Sequence, residues 1–348
     1  MAPRVIHTGQ VVVDVTMQVD RLPERGGEVF ADAFSLQVGG GFNVLHAIRR
    51  MDVEAVYTGP VGDGLLGRAV VAALERDGVT FTGPTVEGLD TGICVAVTDA
   101  DAERTFLSTW GAEARLPVDA YDAVVLGAQD VLYISGYSFI DPANRAALER
   151  LARARGGAEG RPGPDGRGAA AAASRPDVVP PPVRALVDTS PMIGDAPIAT
   201  LEALMLLRPI WSANERETRI LAARLGVETG PADPGEESRP GPADADIPAL
   251  CAGLARRLGS PVISRVGAAG AWWCPAGGGG VRRVPSIPVA PVDTNGAGDA
   301  HAGVLCALLA EGADLPEALR MANIAGALST THAGPATCPS REEIAARL

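Results

Sequence analysis

Through the middle of the chain, short apolar runs ending in a small or polar residue alternate with stretches whose apolar positions recur at helical spacing. DVLYISG (130–136) precedes PANRAALERLARA (142–154), RALVDTSP (184–191) precedes ATLEALMLLRP (199–209), and IWSANERE (210–217) leads into ETRILAARLG (217–226). The first member of each pair predicts a strand buried on both faces. The second predicts a helix, because only a helix brings residues three and four apart to one side. SPVISRVGAAGAWWC (260–274) predicts two short strands around a glycine turn. Such alternation implies a largely parallel sheet covered by helices.

The first third has another rhythm. QVVVDVTMQVD (10–20), EVFADAFSLQVGG (28–40) and GICVAVTDADAERTFLSTWG (92–111) alternate with period two, as antiparallel strands do, and DADAE (99–103) marks a hairpin turn. They predict a small β-rich flap from approximately 11–37 and 91–115, beside the main sheet of a single α/β domain. Segments 155–183 and 228–248 are rich in Gly, Pro and either Ala or acids, lack a hydrophobic period, and are expected as flexible surface loops without chemistry.

Composition narrows the function. With 348 residues, 47% of them apolar, a sizeable core can form, and no run reaches the ~20 apolar residues of a membrane span. The N-terminal stretch lacks the pattern of a secretory signal. Five scattered cysteines without a CxxC pair argue against a disulfide framework, and a cytoplasmic location is expected. The net charge of −12 argues against nucleic acid or an anionic membrane surface as partner. The chain contains no lysine: all 30 basic residues are arginine. Walker A nucleotide binding, Schiff-base chemistry and pyridoxal-lysine chemistry are therefore excluded.

Candidate chemistry concentrates in two stretches. In VDTNGAGDAHAGVLCALL (292–309), Asp293 and Thr294 are expected to close a strand, and Gly296, Ala297 and Gly298 lead into a helix beginning near Asp299. Small residues let backbone N–H groups face a ligand, and the helix dipole adds positive potential, so an anion can be held without lysine. A carboxylate there suits a neutral hydroxyl whose proton it could accept. Asp299 as an ordinary helix N-cap is the equally weighted alternative. In VGGGFNVLHAIRRM (38–51), glycines precede Asn43, which can donate to and accept from hydroxyls. YTGPVGDGLLG (57–67) lacks the spacing of a dinucleotide fingerprint.

Together these stretches resemble the ribokinase-like (PfkB) carbohydrate kinase family. DTNGAGD (293–299) looks like its C-terminal signature, GGGFN (39–43) its N-terminal one, NERE (214–217) its N-x-x-E element and RVGAAG (265–270) its nucleotide loop. The resemblance implies a mainly parallel central sheet flanked by helices, a small β-sheet lid, ATP, Mg²⁺ and a monovalent cation such as K⁺. By position it implies Asp299 as catalytic base, with the amides of Gly296, Ala297 and Gly298 as anion hole. Asp14, Gly40, Gly41 and Asn43 would hold the acceptor. Asn214 and Glu217 would organise Mg²⁺ and phosphates through water; Arg265, Gly267, Gly270 and Asn323 would line the nucleotide. Asp293, Asn295, Ser329 and Gly334 would surround the monovalent cation. Arg265 stands where the family often has threonine; it is expected either to bind phosphate or to point to solvent. His301 replaces a common aromatic. Arg104 could reach a substrate phosphate from the lid, although an ordinary surface strand residue is the preferred reading.

The expected activity is ATP-dependent phosphoryl transfer to a hydroxyl of a sugar or sugar-like molecule. A nucleoside kinase and a non-catalytic sugar-binding regulator are the alternatives, and homodimerisation through the lid is a further expectation.

Overall fold

The computed structural model describes residues 2–101, 103–156, 184–228 and 246–348. In chain order the strands are β1 (Arg4–His7), β2 (Val11–Gln18), β3 (Ala33–Gly40), β4 (Glu54–Tyr57), β5 (Val61–Gly62), β6 (Thr80–Phe81), β7 (Thr85–Val86), β8 (Ile93–Thr98), β9 (Arg104–Ser108), β10 (Val131–Ser135), β11 (Arg184–Asp188), β12 (Ile210–Asn214), β13 (Val262–Arg265), β14 (Ala271–Cys274) and β15 (Arg282–Val284). The helices are α1 (Gly41–Arg50), α2 (Leu65–Arg76), α3 (Pro142–Gly156), α4 (Ile198–Met205), α5 (Glu215–Arg224), α6 (Ile247–Leu258), α7 (Ala297–Glu311), α8 (Leu315–Ser329) and α9 (Arg341–Ala345).

The main sheet runs β15-β14-β13-β12-β11-β10-β1-β4-β6, parallel from β6 to β13 and antiparallel at the β14–β15 edge. Successive residues of its strands feed two different apolar layers. Val5, Tyr133, Leu186 and Ile263 join the layer with α1, α7 and α8, while Ile6, Leu132, Val187 and Val262 join the layer with α3 to α6. That is why these strands read as continuous apolar runs: both faces are covered. The carboxyl ends of β10, β11, β12 and β13 open on one rim, where Ser135 pairs with Asp188 and Asn214 with Arg265.

A small sheet, β3-β2-β8-β9, stands apart. The β2–β3 and β8–β9 pairs are antiparallel as expected, but β2 and β8 run parallel. Period-two alternation carries no direction. The chain between β2 and β8 returns through α1, β4 and α2, so no hairpin forces those two strands to oppose.

The segments 155–183 and 228–248 lie almost wholly outside the described residues. Their edges differ from the expected loops: Arg155 and Gly156 finish α3, and Ile247 and Pro248 open α6. Proline is tolerated in a first turn because its missing N–H is unneeded there. Asp293 and Thr294 do not close a strand. Pro288 and Pro291 just upstream remove ladder donors, and the Val292 and Asp293 amides instead donate to Thr330 O, over 2.7 and 3.0 Å. Among the described residues no helix is long and apolar enough to cross a membrane.

Candidate active site

The first turn of α7 sits at the rim. Gly296, not Asp299, is the N-cap: its φ of 76° is left-handed, and a Cβ there would fall 1.9 Å from Pro335 O. Only glycine serves at that position. The helix therefore starts at Ala297, two residues earlier than expected, and Asp299 lies inside its first turn rather than capping it. The Ala297 N–H makes only a long 3.4 Å bond to Thr294 O, and first-turn amides have no acceptor within a helix. Asp299 retains a solvent-reachable edge, yet burial, aided by the charge of Asp188, pushes its carboxyl up to about 7 against the opposing bond from Asn43.

The glycine segment comes to the same place. Gly40, with φ 59° and ψ −128°, caps α1, and one turn on Asn43 Nδ2 donates to Asp299 Oδ2 over 3.0 Å, joining residues 256 apart in the chain. Gly39 lies so close to Asp14 that a Cβ would come within 1.9 Å of Asp14 Oδ2. Burial raises the Asp14 carboxyl to about 6, partly offset by the Gly40 N–H. The Gly41 N–H donates to Gln10 O over 2.7 Å, and Gln10 Nε2 donates to Ser138 Oγ over 2.9 Å. Two buried acceptors, Asn43 Oδ1 and Gln10 Oε1, have no donor from the protein.

At the rim end of β12, Asn214 and Glu217 form a capping box at α5. Asn214 N–H and Nδ2 donate to the two Glu217 carboxylate oxygens over 2.9 and 2.8 Å, and Thr189 Oγ1 adds 3.0 Å. Glu217 is buried, which raises its carboxyl, while Arg265 lowers it. Arg265 does not point to solvent. It turns inward and grips Asp188 through Nη1 and Nη2 over 3.2 and 3.0 Å, with Glu217 3.7 Å away. Its Nη1 also reaches Gly298 O over 3.4 Å, so the cation lies beneath the glycine turn. A cavity of about 340 Å³ opens alongside, lined by Asn214, Glu215, Arg216, Arg265, Val266 and Gly267.

Gly267 has open space where a Cβ would stand, whereas one on Gly270 would fall 2.2 Å from Val284 O. Gly267 borders the cavity; Gly270 serves the close approach of β15. The Asn323 amide N–H groups are taken within the protein, since Nδ2 donates to Val284 O and Pro285 O over 2.9 and 3.4 Å. His301 is buried, and burial with the Arg265 charge pushes it down to about 3 against the side chain of Asn323, hence neutral.

The profile of the pfkB family carbohydrate kinases matches residues 2–159 and 199–342. The chain belongs to that family. This kinase is 29% identical to the uncharacterized sugar kinase YegV of Escherichia coli (strain K12) over 98% of the chain and 92% of that protein. It is 28% identical to the ATP-dependent ribose-1-phosphate kinase of Halopiger xanaduensis, covering 99% of this chain and 98% of the other. Its fold matches the crystal structure of ribokinase from Cryptococcus neoformans in complex with ADP, with a TM-score of 0.73, 22% identity and full coverage of both chains.

The kinase's groups fit its expected cofactors unequally. Glu217 already accepts three hydrogen bonds, which suits contact with Mg²⁺ through water and not direct ligation. The monovalent-cation set does not fit as it stands. Asp293 Oδ1 accepts from Arg104 Nη2 at 2.7 Å and from the Asn295 N–H at 2.9 Å; Oδ2 accepts from the Gly334 N–H at 3.1 Å. Burial raises this carboxyl, but those bonds outweigh it and hold it below the ordinary value. Thr337 Oγ1 donates to Ser329 O and Gly334 O over 2.9 and 3.3 Å, and Ser329 Oγ donates to Gly326 O over 2.9 Å. The Asp293 carboxylate, the Ser329 hydroxyl and the Gly334 carbonyl are thus already engaged by the protein itself.

Three residues were not assigned from sequence. Asp188 carries a visible signal, an acid closing a strand. Tyr137, half-exposed in the short turn after β10, has its hydroxyl shifted upward by partial desolvation and by the Asp299 and Glu217 charges. Arg104 carries no local signal, because its partner is 189 residues away.

Proposed function

We propose that this kinase transfers the γ-phosphoryl group of ATP to a hydroxyl of a sugar or sugar-like alcohol, with Asp299 as general base. One observation carries the reading. A carboxyl raised to about 7 sits in the first turn of α7, beside unpaired amides, and is held from the other side by Asn43 of the glycine segment.

Asp299 takes the hydroxyl proton as the alcohol oxygen attacks phosphorus and ADP departs. The amides of the Gly296–Gly298 turn hold charge on the transferring group, as preorganised donors that need no reorientation. Arg265 beneath that turn adds positive potential. Asn43 Oδ1 and Gln10 Oε1 are buried acceptors that acceptor hydroxyls would satisfy, and an unmet acceptor is costly enough to favour a ligand rich in O–H groups. Asp14 stands ready for another hydroxyl. The nucleotide would enter by the cavity at Asn214 and Gly267. Mg²⁺ arriving with ATP supplies neutralisation of the phosphates, and Asn214 with Glu217 would meet it through water. The small sheet acts as a lid that excludes water from the reacting groups.

The test is ATP consumption across free sugars, sugar phosphates including ribose 1-phosphate, and nucleosides, with Asp299→Asn in parallel. Turnover with one class and its collapse in the variant is expected. Consumption independent of any alcohol, or an undiminished variant, would refute the reading, and preference for nucleosides would move the acceptor to that class.

A further inference from the structure

Arg104 opens β9, the edge strand of the small sheet, opposite Thr98 of β8. Its guanidinium crosses to Asp293, three residues before the left-handed N-cap Gly296. The ion pair joins the small sheet to the loop that leads into α7, and so ties that sheet to the rim.

The carboxylate it grips is a local hub. Through Asn295 and Gly334, Asp293 shapes both loops that meet at Gly296, and Pro335 closes against that glycine from the second loop. Strand β3 also reaches this place, with Gln37 Nε2 3.8 Å from where a Gly334 Cβ would stand. Arg104 supplies the only guanidinium or ammonium charge bonded to Asp293 among the described residues. The pair is partly exposed, with side chains 35% and 19% accessible. Exposed pairs add little to global stability, so its consequence should be local order and not folding.

We propose that Arg104 is a positioning residue that docks the small sheet onto Asp293 and sets the amide turn at Gly296–Gly298, its guanidinium standing in for the monovalent cation expected among Asp293, Asn295, Ser329 and Gly334. The docking holds whatever the acceptor is; its effect on turnover rests on the kinase reading above. This enzyme then needs no K⁺. The small sheet also reports its position to the anion hole through one side chain.

The test uses the full chain with Arg104→Gln and Arg104→Lys. Amide hydrogen exchange read on residues 293–299 needs no acceptor. Arg104→Gln should speed exchange there by about three- to fivefold, as loss of one part-exposed ion pair implies, while the buried middle of α8 stays unchanged. Unchanged exchange at 293–299 overturns the docking. With the best acceptor of the panel, wild-type turnover should match in about 0.1 M KCl and NaCl, at equal screening. Arg104→Gln should lose about 10–100-fold in kcat, the scale for misplaced reacting groups, with MgADP affinity kept, and Arg104→Lys should recover most of it. Strong activation of the wild type by K⁺, or full kcat in Arg104→Gln, overturns the substitution of guanidinium for cation. If no acceptor is turned over, the kinase reading fails by itself and the exchange result still decides the docking.

Discussion

Replacing Asp299 by asparagine removes one charge and keeps the shape. Asn43 Nδ2 donates to Asp299 Oδ2 over 3.0 Å, and an amide oxygen can accept the same bond. In the native protein, burial and the Asp188 charge lift this carboxyl from 3.8 to about 7. A group that binds its proton more tightly folded than unfolded opposes folding once it ionises. At about 1.4 kcal/mol per pH unit the gap sets a ceiling near 4 kcal/mol, and solvent reaching the cleft edge lowers this to roughly 1–4 kcal/mol. Below pH 3.8 both states hold the proton and nothing is lost; the destabilisation grows as pH rises from there and is complete above about 7. Asparagine is neutral throughout. Asp299→Asn should therefore gain roughly 1–4 kcal/mol of stability at pH 8 and progressively less toward pH 4. Turnover should fall by roughly 10²–10⁴, the range for losing a general base. Denaturant titrations at the two pH values, with ATP consumption on the best acceptor, read both quantities. A variant less stable than wild type at pH 8 would refute the electrostatic reasoning, and near-wild-type turnover would remove Asp299 from the chemistry.

Since the base must be ionised, kcat/KM should drop about tenfold per pH unit below about 7 and level off above it; a pH–rate profile flat from 5.5 to 8 contradicts this. Asn43→Ala removes the bond that lowers the Asp299 carboxyl, so the acid limb should move upward by up to about one pH unit, again read from the profile. Gly296→Ala puts a Cβ 1.9 Å from Pro335 O at a left-handed φ, and should cost about 1–3 kcal/mol in thermal or denaturant unfolding along with most activity. Arg265→Leu leaves buried Asp188 and Glu217 without their cation, and should cost about 3–5 kcal/mol at pH 8. That loss should shrink as the pH falls and the carboxyls take up protons, which denaturation at two pH values tests.

What the sequence announces and what it hides divide along chain distance. The glycine turn at 296–298 and the capping pair Asn214 and Glu217 are made by neighbours in the chain, so their residue types and spacing are visible directly. The buried strands were visible because their runs must satisfy two apolar layers at once. The parallel pairing of β2 with β8, the inward turn of Arg265 and the reach of Arg104 are fixed by partners tens to hundreds of residues away. Arg265 shows the consequence most clearly. Its two expected courses, phosphate or solvent, both left out Asp188, 77 residues upstream at the next-but-one strand end.

That hidden cation bears on how an acidic cleft of a chain with net charge −12 could take a nucleotide. Asp14, Asp188, Glu217 and Asp299 crowd the rim, and fully ionised they would repel phosphates. Arg265 offsets one of the two charges of the inner pair, and burial raises the carboxyls of Asp14 and Asp299 to about 6 and about 7, so near neutrality each holds its proton part of the time. A nucleotide phosphate brought beside Asp299 would raise that carboxyl further, as like charges do. Nucleotide binding should thus take up protons near neutral pH. Calorimetric titration of MgADP in two buffers of different ionisation enthalpy measures that uptake directly, and Asp299→Asn should abolish its larger part. Binding that takes up no protons between pH 6.5 and 7.5 would mean that the phosphates lie too far from Asp299 for the amide turn to be their site.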